Sequence, residues 1–109
     1  MKFPAGVFVS EEPQIRKVML GDGSVHDMHF MELPASEIFR FGDRQRSEDE
    51  QTRVMALPYL IAASLCDETG KPVLTAEQAS KLKIDVAKAL AGAIMTICRV
   101  NLPEAEPEA

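Results

Sequence analysis

The chain has 109 residues, about the size of one domain, and its 17 acidic and 12 basic side chains give a net charge of −5. This charge repels phosphate backbones and anionic membrane surfaces, so we expect neither nucleic acid nor a membrane as a partner. Cys66 and Cys98 show no metal-ligand spacing, and nothing before them reads as a signal peptide, which favours a reducing cytoplasm. Each cysteine is expected to be a small buried hydrophobe and not half of a disulfide or redox pair.

The first third of the chain has the pattern of β-strands. Residues 15–20 and 25–31 are separated by the sequence GDGS, which suits turn positions with φ > 0 and predicts a β-hairpin. The second arm alternates apolar and polar side chains, as expected for a half-buried strand. Residues 7–9 are a candidate third strand, so strands are predicted between positions 7 and 31.

Helices are predicted after the strands, over residues 36–41, 47–65, 75–82 and 85–101. Gly42 is expected to end the first of them. The sequence SEDE at residues 47–50 is a capping box that opens the second, in which Pro58 predicts a kink. A further capping box begins at Thr75, and Asp85 is expected to cap the last helix.

These elements predict an α+β fold, with an N-terminal β-hairpin or small antiparallel sheet followed by a bundle of three to four helices. A single domain is expected over residues 1–102. Residues 103–109 are acidic and rich in proline and are predicted to form a disordered tail.

The closing helix has the clearest pattern in the chain. Its first apolar stripe consists of Val86, Leu90, Ile94 and Ile97, and its second of Ala87, Ala91, Met95 and Cys98. A helix that is apolar over most of its circumference is normally buried on more than one side. Either its own domain surrounds it, or one side meets a second subunit, and both interpretations stay open.

Phe39 and Phe41 cannot both face inward on the first predicted helix, so at least one is expected to be exposed. Together with the second stripe of the closing helix they complete the set of candidate interface residues. That set is Phe39, Phe41, Ala87, Ala91, Met95 and Cys98.

Motifs for catalysis or metal binding are not found. His26 and His29 point to opposite faces of a strand, which disfavours a metal pair. Gly70 and Lys71 precede Pro72 where a phosphate-binding loop needs serine or threonine. The acidic residues that begin at Asp67 lack the alternating ligands of a calcium loop. We therefore expect a binding protein without catalytic, cofactor or metal sites, and not an enzyme.

The most informative stretch is the link at residues 65–75, LCDETGKPVLT. Its motif residues are Leu65, Cys66, Asp67, Glu68, Gly70, Lys71, Pro72 and Thr75. The link resembles the middle of tail assembly chaperones from long-tailed, non-contractile bacteriophages. The order of elements is also similar, from an N-terminal strand region to a closing apolar helix, and the resemblance covers roughly residues 31–101. The motif is a turn signature and carries no catalytic pattern.

The resemblance implies a chaperone that self-associates, binds the tape measure protein and recruits tail tube subunits. It would act in the cytoplasm of the bacterial host and be absent from the mature virion. Members of the family commonly have a second, longer product made by translational frameshifting, whose extension helps to contact the tube protein. The physical task would be to hold apolar helices of a client in a groove.

Two other classes of function stay open. One is a structural tail or head-completion protein that is retained in the virion. The other is a small enzyme or regulator that uses Asp67, Glu68 and Lys71 as a charged site.

Overall fold

The computed structural model describes Pro4 and residues 6–100. Its fold is α+β, with a three-stranded antiparallel sheet in the order β1-β2-β3 and helices packed against it. The elements in chain order are β1 (Gln14–Met19), β2 (Val25–Phe30), α1 (Ala35–Gln45), α2 (Glu50–Val54), α3 (Ala56–Ser64), β3 (Leu65–Cys66), α4 (Ala76–Ala79) and α5 (Ile84–Cys98).

The predicted β-hairpin is confirmed. Strands β1 and β2 pair from Gln14↔Phe30 to Met19↔Val25. The inner face buries Phe30 completely and leaves Val18 only 3% exposed, because alternate side chains point to the same side of a strand.

The prediction of a strand at residues 7–9 is wrong, since these residues form a bend and coil. The third strand is β3, which pairs with β2 through Phe30↔Leu65. Ser64 fixes this pairing, because its buried hydroxyl donates to the Met31 carbonyl at 2.8 Å and its carbonyl accepts from the Met31 N–H at 2.8 Å. The third strand of the sheet therefore comes from residues far along the chain and not from the N-terminal segment.

Helix α1 is longer than the predicted 36–41, because it continues through Gly42 to Gln45. A glycine ends a helix when it takes a left-handed conformation, and Gly42 does not. Ion pairs one turn apart support the helix on both sides of the glycine: Glu37 with Arg40 and Asp43 with Arg46, both at 2.7 Å.

The predicted helix 47–65 is two helices, and its capping box is wrong. Asp49 caps α2, and its carboxylate accepts from the N–H of Thr52 at 2.9 Å and from the Thr52 hydroxyl at 2.7 Å. Ser47 instead accepts from the Asp49 N–H at 3.0 Å. Aspartate and serine are equally good at the N-terminal cap of a helix. Asp49 takes this position because it also accepts a hydrogen bond from the Thr52 hydroxyl.

The break between α2 and α3 falls at Met55, upstream of Pro58. Proline has no N–H to offer the Val54 carbonyl, so the chain turns at Met55 and a new helix begins. Pro58 then lies in the first turn of α3, where a missing N–H costs little. This break also turns Val54 outward, leaving it 56% exposed.

The capping box at Thr75 is confirmed, with both of its hydrogen bonds present. The helix that it opens ends at Ala79, short of the predicted residue 82. Asp85 does not cap α5, because the chain is already helical at Ile84 and the cap position falls on Lys83.

The C-terminal end of α5 also differs from the prediction. The helix ends at Cys98, and Arg99 takes a left-handed conformation with φ 59°. Val100 donates its N–H to the Met95 carbonyl at 2.9 Å, which closes the last turn. The predicted tail, residues 103–109, and both ends of the predicted domain 1–102 lie outside the described residues.

The core lies where the inner face of the sheet meets α3 and α5. Its innermost side chains are Phe30, Ile61, Leu90 and Ile94, none more than 2% exposed. The first apolar stripe of α5 therefore points to the core of its own domain.

Candidate functional site

The link at residues 65–75 forms a β-turn that returns the chain toward the sheet. Leu65 and Cys66 belong to β3, and Pro72 pairs with Cys66 across the turn. Gly70 takes φ 91°, a conformation that glycine adopts at little cost. The predicted tight turn is confirmed.

Asp67 organises this turn with one carboxylate oxygen. That oxygen accepts from the Thr69 N–H at 2.8 Å, the Thr69 hydroxyl at 2.6 Å and the Lys71 N–H at 3.0 Å. The bond from the Thr69 hydroxyl, followed by those from the backbone of Lys71 and Thr69, lowers the pKa of Asp67 below its ordinary value. The carboxylate is thus occupied in shaping the loop.

The remaining polar motif residues offer no convergent chemistry. Glu68 and Lys71 are exposed, and Thr75 is used as the cap of α4. Within the part of the chain that the structure describes, no three His, Cys, Asp or Glu side chains converge as metal ligands would. The link therefore positions β3 and α4 relative to each other.

Both cysteines are free thiols with little nucleophilic character. Cys66 is buried, and burial followed by the nearby charge of Asp67 raises its pKa. Burial also raises the pKa of Cys98, whose Sγ accepts from the Leu33 N–H at 3.4 Å. Cys66 is thus the small buried hydrophobe that the sequence predicted, whereas Cys98 is only half-buried.

The second apolar stripe of α5 is only partly covered, and an open groove lies beside it. We call this the helical groove, a cavity of about 360 Å³ between α1, α3 and α5. Its lining residues are Phe41, Gln45, Leu57, Lys88, Ala91, Gly92 and Met95. Most of the lining atoms are apolar, and Gln45 and Lys88 supply its polar groups.

The structure brings together three of the predicted interface residues, Phe41, Ala91 and Met95, in the helical groove. Phe41 and Met95 are mostly buried and form its base, with 7% and 5% of their surfaces exposed. Ala91 is half-buried on the same lining.

The other candidate interface residues lie elsewhere. Phe39 is 70% exposed on the outer side of α1, which confirms that the two phenylalanines face in different directions. Ala87 and Cys98 are half-buried in contact with the core.

Leu57 and Gln45 line the groove but were not identified from the sequence. Leu57 lies within the predicted helix 47–65 but was not singled out, and Gln45 lies beyond the predicted end of the first helix. The apolar periodicity of α3 was a signal for Leu57, whereas nothing local indicated that α1 would carry Gln45 to the same place.

The comparisons with known proteins add no relative to this picture. No protein-family model matches the chain, and no curated protein or solved structure matches it either. Within residues 6–100, every helix is too short or too polar to span a bilayer. Function must therefore be argued from the residues and their geometry.

Proposed function

We propose that this protein is a tail assembly chaperone of long-tailed bacteriophages and performs no chemistry. It would self-associate, bind the tape measure protein and recruit tail tube subunits in the cytoplasm of the bacterial host. It would then leave the assembly, so that the mature virion lacks it. The helical groove is the observation that carries the proposal, because it offers an apolar surface suited to a client helix.

The residues that line the helical groove suit this task. A client helix presents apolar side chains at every third or fourth position, and a groove between helices receives them. Met95 at the base has a flexible, polarizable side chain that adapts to different partners. Gly92 and Ala91 keep the wall of α5 low, so that a client backbone can approach closely.

The order of the elements supports the same proposal. The turn at residues 65–75 lies between α3 and α4, in the place that the resemblance assigns to it, and the apolar helix α5 closes the described fold. A long, helical tape measure protein would aggregate through its apolar stripes if they stayed uncovered. Shielding them until tube subunits take over is the mechanism that we propose.

Coexpression with the tape measure and tail tube proteins encoded by neighbouring genes tests the proposal. We expect both to copurify with the chain, and we expect sizing at high protein concentration to show oligomers. A monomer that captures neither protein would contradict the proposal.

Mass spectrometry of purified particles separates the proposal from its main alternative. A chaperone should be missing from the virion, whereas a structural tail or head-completion protein should be present at a stoichiometric level. Detection of the chain in particles at that level would favour the structural protein.

A further inference from the structure

A second surface, on the side of α5 that faces β1, has the features of a peptide-binding site. Strand β1 is the first in the order β1-β2-β3, so one of its edges has no neighbouring strand among the residues that the structure describes. The Leu20 N–H donates to the Ser24 carbonyl across the hairpin at 2.8 Å. Because backbone groups alternate sides along a strand, the N–H and C=O groups of Ile15, Lys17 and Met19 point toward the open edge.

Side-chain contacts at this edge agree with that assignment. Arg16 donates from Nη1 to the Ile15 carbonyl at 2.9 Å, which a side chain can reach only if the carbonyl points away from β2. No other hydrogen bond to the outward backbone groups of β1 is present within residues 6–100. Unpaired edges of this kind accept an additional strand.

The space for an additional strand is already present. A cavity of about 410 Å³, which we call the edge groove, runs between β1 and α5. Its lining residues are Arg16, Lys17, Val18, Met19, Lys88, Ala89, Gly92, Ala93 and Thr96. An added strand would lie about 4.8 Å from β1. It would pass over the small residues of α5, which are Ala89, Gly92, Ala93 and Thr96. At Gly92 no atom lies within 4 Å of where a Cβ would be, so the floor is open.

The charge of the edge groove is opposite to that of the protein. Its lining carries Arg16, Lys17 and Lys88 and no carboxylate, although the chain as a whole has a net charge of −5. Among the described residues, Arg16 donates hydrogen bonds only to the neutral Gln14 side chain and to the Ile15 carbonyl, and Lys88 has no ion pair. Lys17 pairs with Asp27 at 3.1 Å, but both side chains are more than half exposed.

This charge also argues against a second copy of the chain as the occupant. Antiparallel pairing of two β1 edges centred on either basic residue would place Arg16 opposite Arg16 or Lys17 opposite Lys17, and like charges directly opposite are destabilising. We infer that the β1 edge is a docking site for an acidic, extended peptide segment of a partner protein, which adds to the sheet as a fourth strand. The edge groove adjoins the helical groove at Lys88 and Gly92, which line both, but the inference does not rest on the proposed function.

Fluorescence anisotropy with short labelled peptides tests the inference on the full chain. A peptide that alternates glutamate and valine should bind, and one with lysine in place of glutamate should bind at least about tenfold more weakly. Affinity for the acidic peptide should fall as salt is raised. Equal binding of the two peptides would overturn the inference.

Backbone methylation distinguishes strand addition from simple charge attraction. Two further acidic peptides carry N-methyl groups on alternate residues, one set on the glutamates and the other on the valines. Only one set of amides faces β1 in an added strand, so one methylated peptide should lose binding and the other should keep it. Equal affinity of both would overturn the inference.

Variants of the chain give an independent check. Lys17→Pro removes an outward N–H while the hydrogen bonds to β2 stay intact, and Lys17→Ala keeps that N–H. Proline should abolish binding of the acidic peptide, whereas alanine should weaken it only about threefold. If Lys17→Pro fails to fold, as judged by circular dichroism, the methylated peptides on the unchanged chain decide the matter.

Charge reversal has a matched control. Lys88→Glu should weaken binding of the acidic peptide by about tenfold, and Lys81→Glu, an exposed lysine outside the edge groove, should leave it unchanged. Equal effects of the two substitutions would overturn the inference. Loss of peptide binding at high concentrations of the chain would mean that a second copy occupies the edge of β1. This result would also overturn the inference.

Discussion

Two turns of this protein have the same backbone geometry but different surroundings. Each turn spans five residues, 20–24 and 67–71. In both, the N–H of the first residue donates to the carbonyl of the fifth, and the N–H of the fourth donates to the carbonyl of the first, at N···O distances of 2.8 to 3.0 Å. Both turns place a glycine at the fourth position, Gly23 with φ 88° and Gly70 with φ 91°. Such turns with a left-handed fourth residue are common in hairpins.

The two turns differ in what the aspartate holds and in what lies beside the glycine. Asp22 accepts from the N–H and hydroxyl of Ser24, whereas Asp67 accepts three bonds and ties both Thr69 and Lys71. A Cβ at position 23 would meet no atom within 4 Å, but one at position 70 would lie 3.4 Å from the Met31 sulfur. The first turn contacts Asp85 of α5 through Gly21 but is open to solvent at Gly23, whereas the second is packed against Met31 at Gly70.

This difference indicates that the polar side chains of residues 65–75 shape the chain. The aspartate, glycine and proline are required for a turn that must both reverse the chain and fit against Met31. The residues that carry the resemblance to the chaperone family thus determine the backbone conformation of the turn. The surface proposed for binding lies on the helices.

The largest difference between the turns is expected from valine substitutions at the two glycines. A β-branched residue is strained at φ > 0 in both, which should cost about 2 kcal/mol in Gly23→Val. Gly70→Val adds methyl groups against Met31 and Pro13 and should cost about 3 to 4 kcal/mol. Urea unfolding of both variants measures the difference, and equal losses would contradict the packed position of the second turn.

A third left-handed residue extends the comparison to a position that lacks glycine. Arg99 has φ 59° at the end of α5, where glycine is the preferred residue. Arg99→Gly should therefore raise the free energy of unfolding by about 1 kcal/mol, in the opposite direction from the valine variants. Thermal unfolding checks the sign. A loss of stability would mean that the arginine side chain makes a contact more valuable than the relief of strain.

The smallest effect is expected in the dependence of stability on pH. Hydrogen bonds lower the pKa values of Asp22 and Asp67 in the folded protein, first among them those from the hydroxyls of Ser24 and Thr69. A lowered pKa stabilises the fold above the pKa of the unfolded chain, and that contribution is lost as pH falls through the folded pKa. Stability should thus decrease below the ordinary range of aspartate titration.

Asparagine variants assign this loss to each turn. Asp67→Asn should flatten the acid limb of the stability curve more than Asp22→Asn, because Asp67 accepts one more hydrogen bond. Asp49 also has a lowered pKa and would keep part of the dependence in both variants. Urea unfolding at a series of acidic pH values measures the three curves. A larger effect of Asp22→Asn would contradict the assignment.

The parts of the fold that were predictable from the sequence depend on neighbouring residues. The hairpin follows from alternating side chains around GDGS, and the capping box at Thr75 lies within one turn of chain. Strand β3 was missed because Leu65 and Cys66 continue an apolar helical pattern, and only their pairing with β2 reveals the strand. The break at Met55 was placed too late because Pro58 acts on a carbonyl four residues before it.

The candidate site shows the same division. Ala91 and Met95 were predicted as interface residues from the second stripe of α5 alone. Their groove partners on α1 and α3 depend on how three helices pack, which local patterns do not specify. Phe39 was also predicted and is exposed, but it lies on the other side of α1.

The central claim is that the helical groove holds a client helix, and one pair of variants tests it most directly. Ala91→Glu places a carboxylate at the mouth of the groove, and Ala63→Glu makes the same change at an exposed position of α3 outside it. In coexpression with the tape measure protein, Ala91→Glu should lose the copurifying partner, because its carboxylate would have to give up its water against an apolar helix, which is costly even beside Lys88. Ala63→Glu should retain it. Equal recovery of the tape measure protein with both variants, folded as judged by circular dichroism, would contradict the claim.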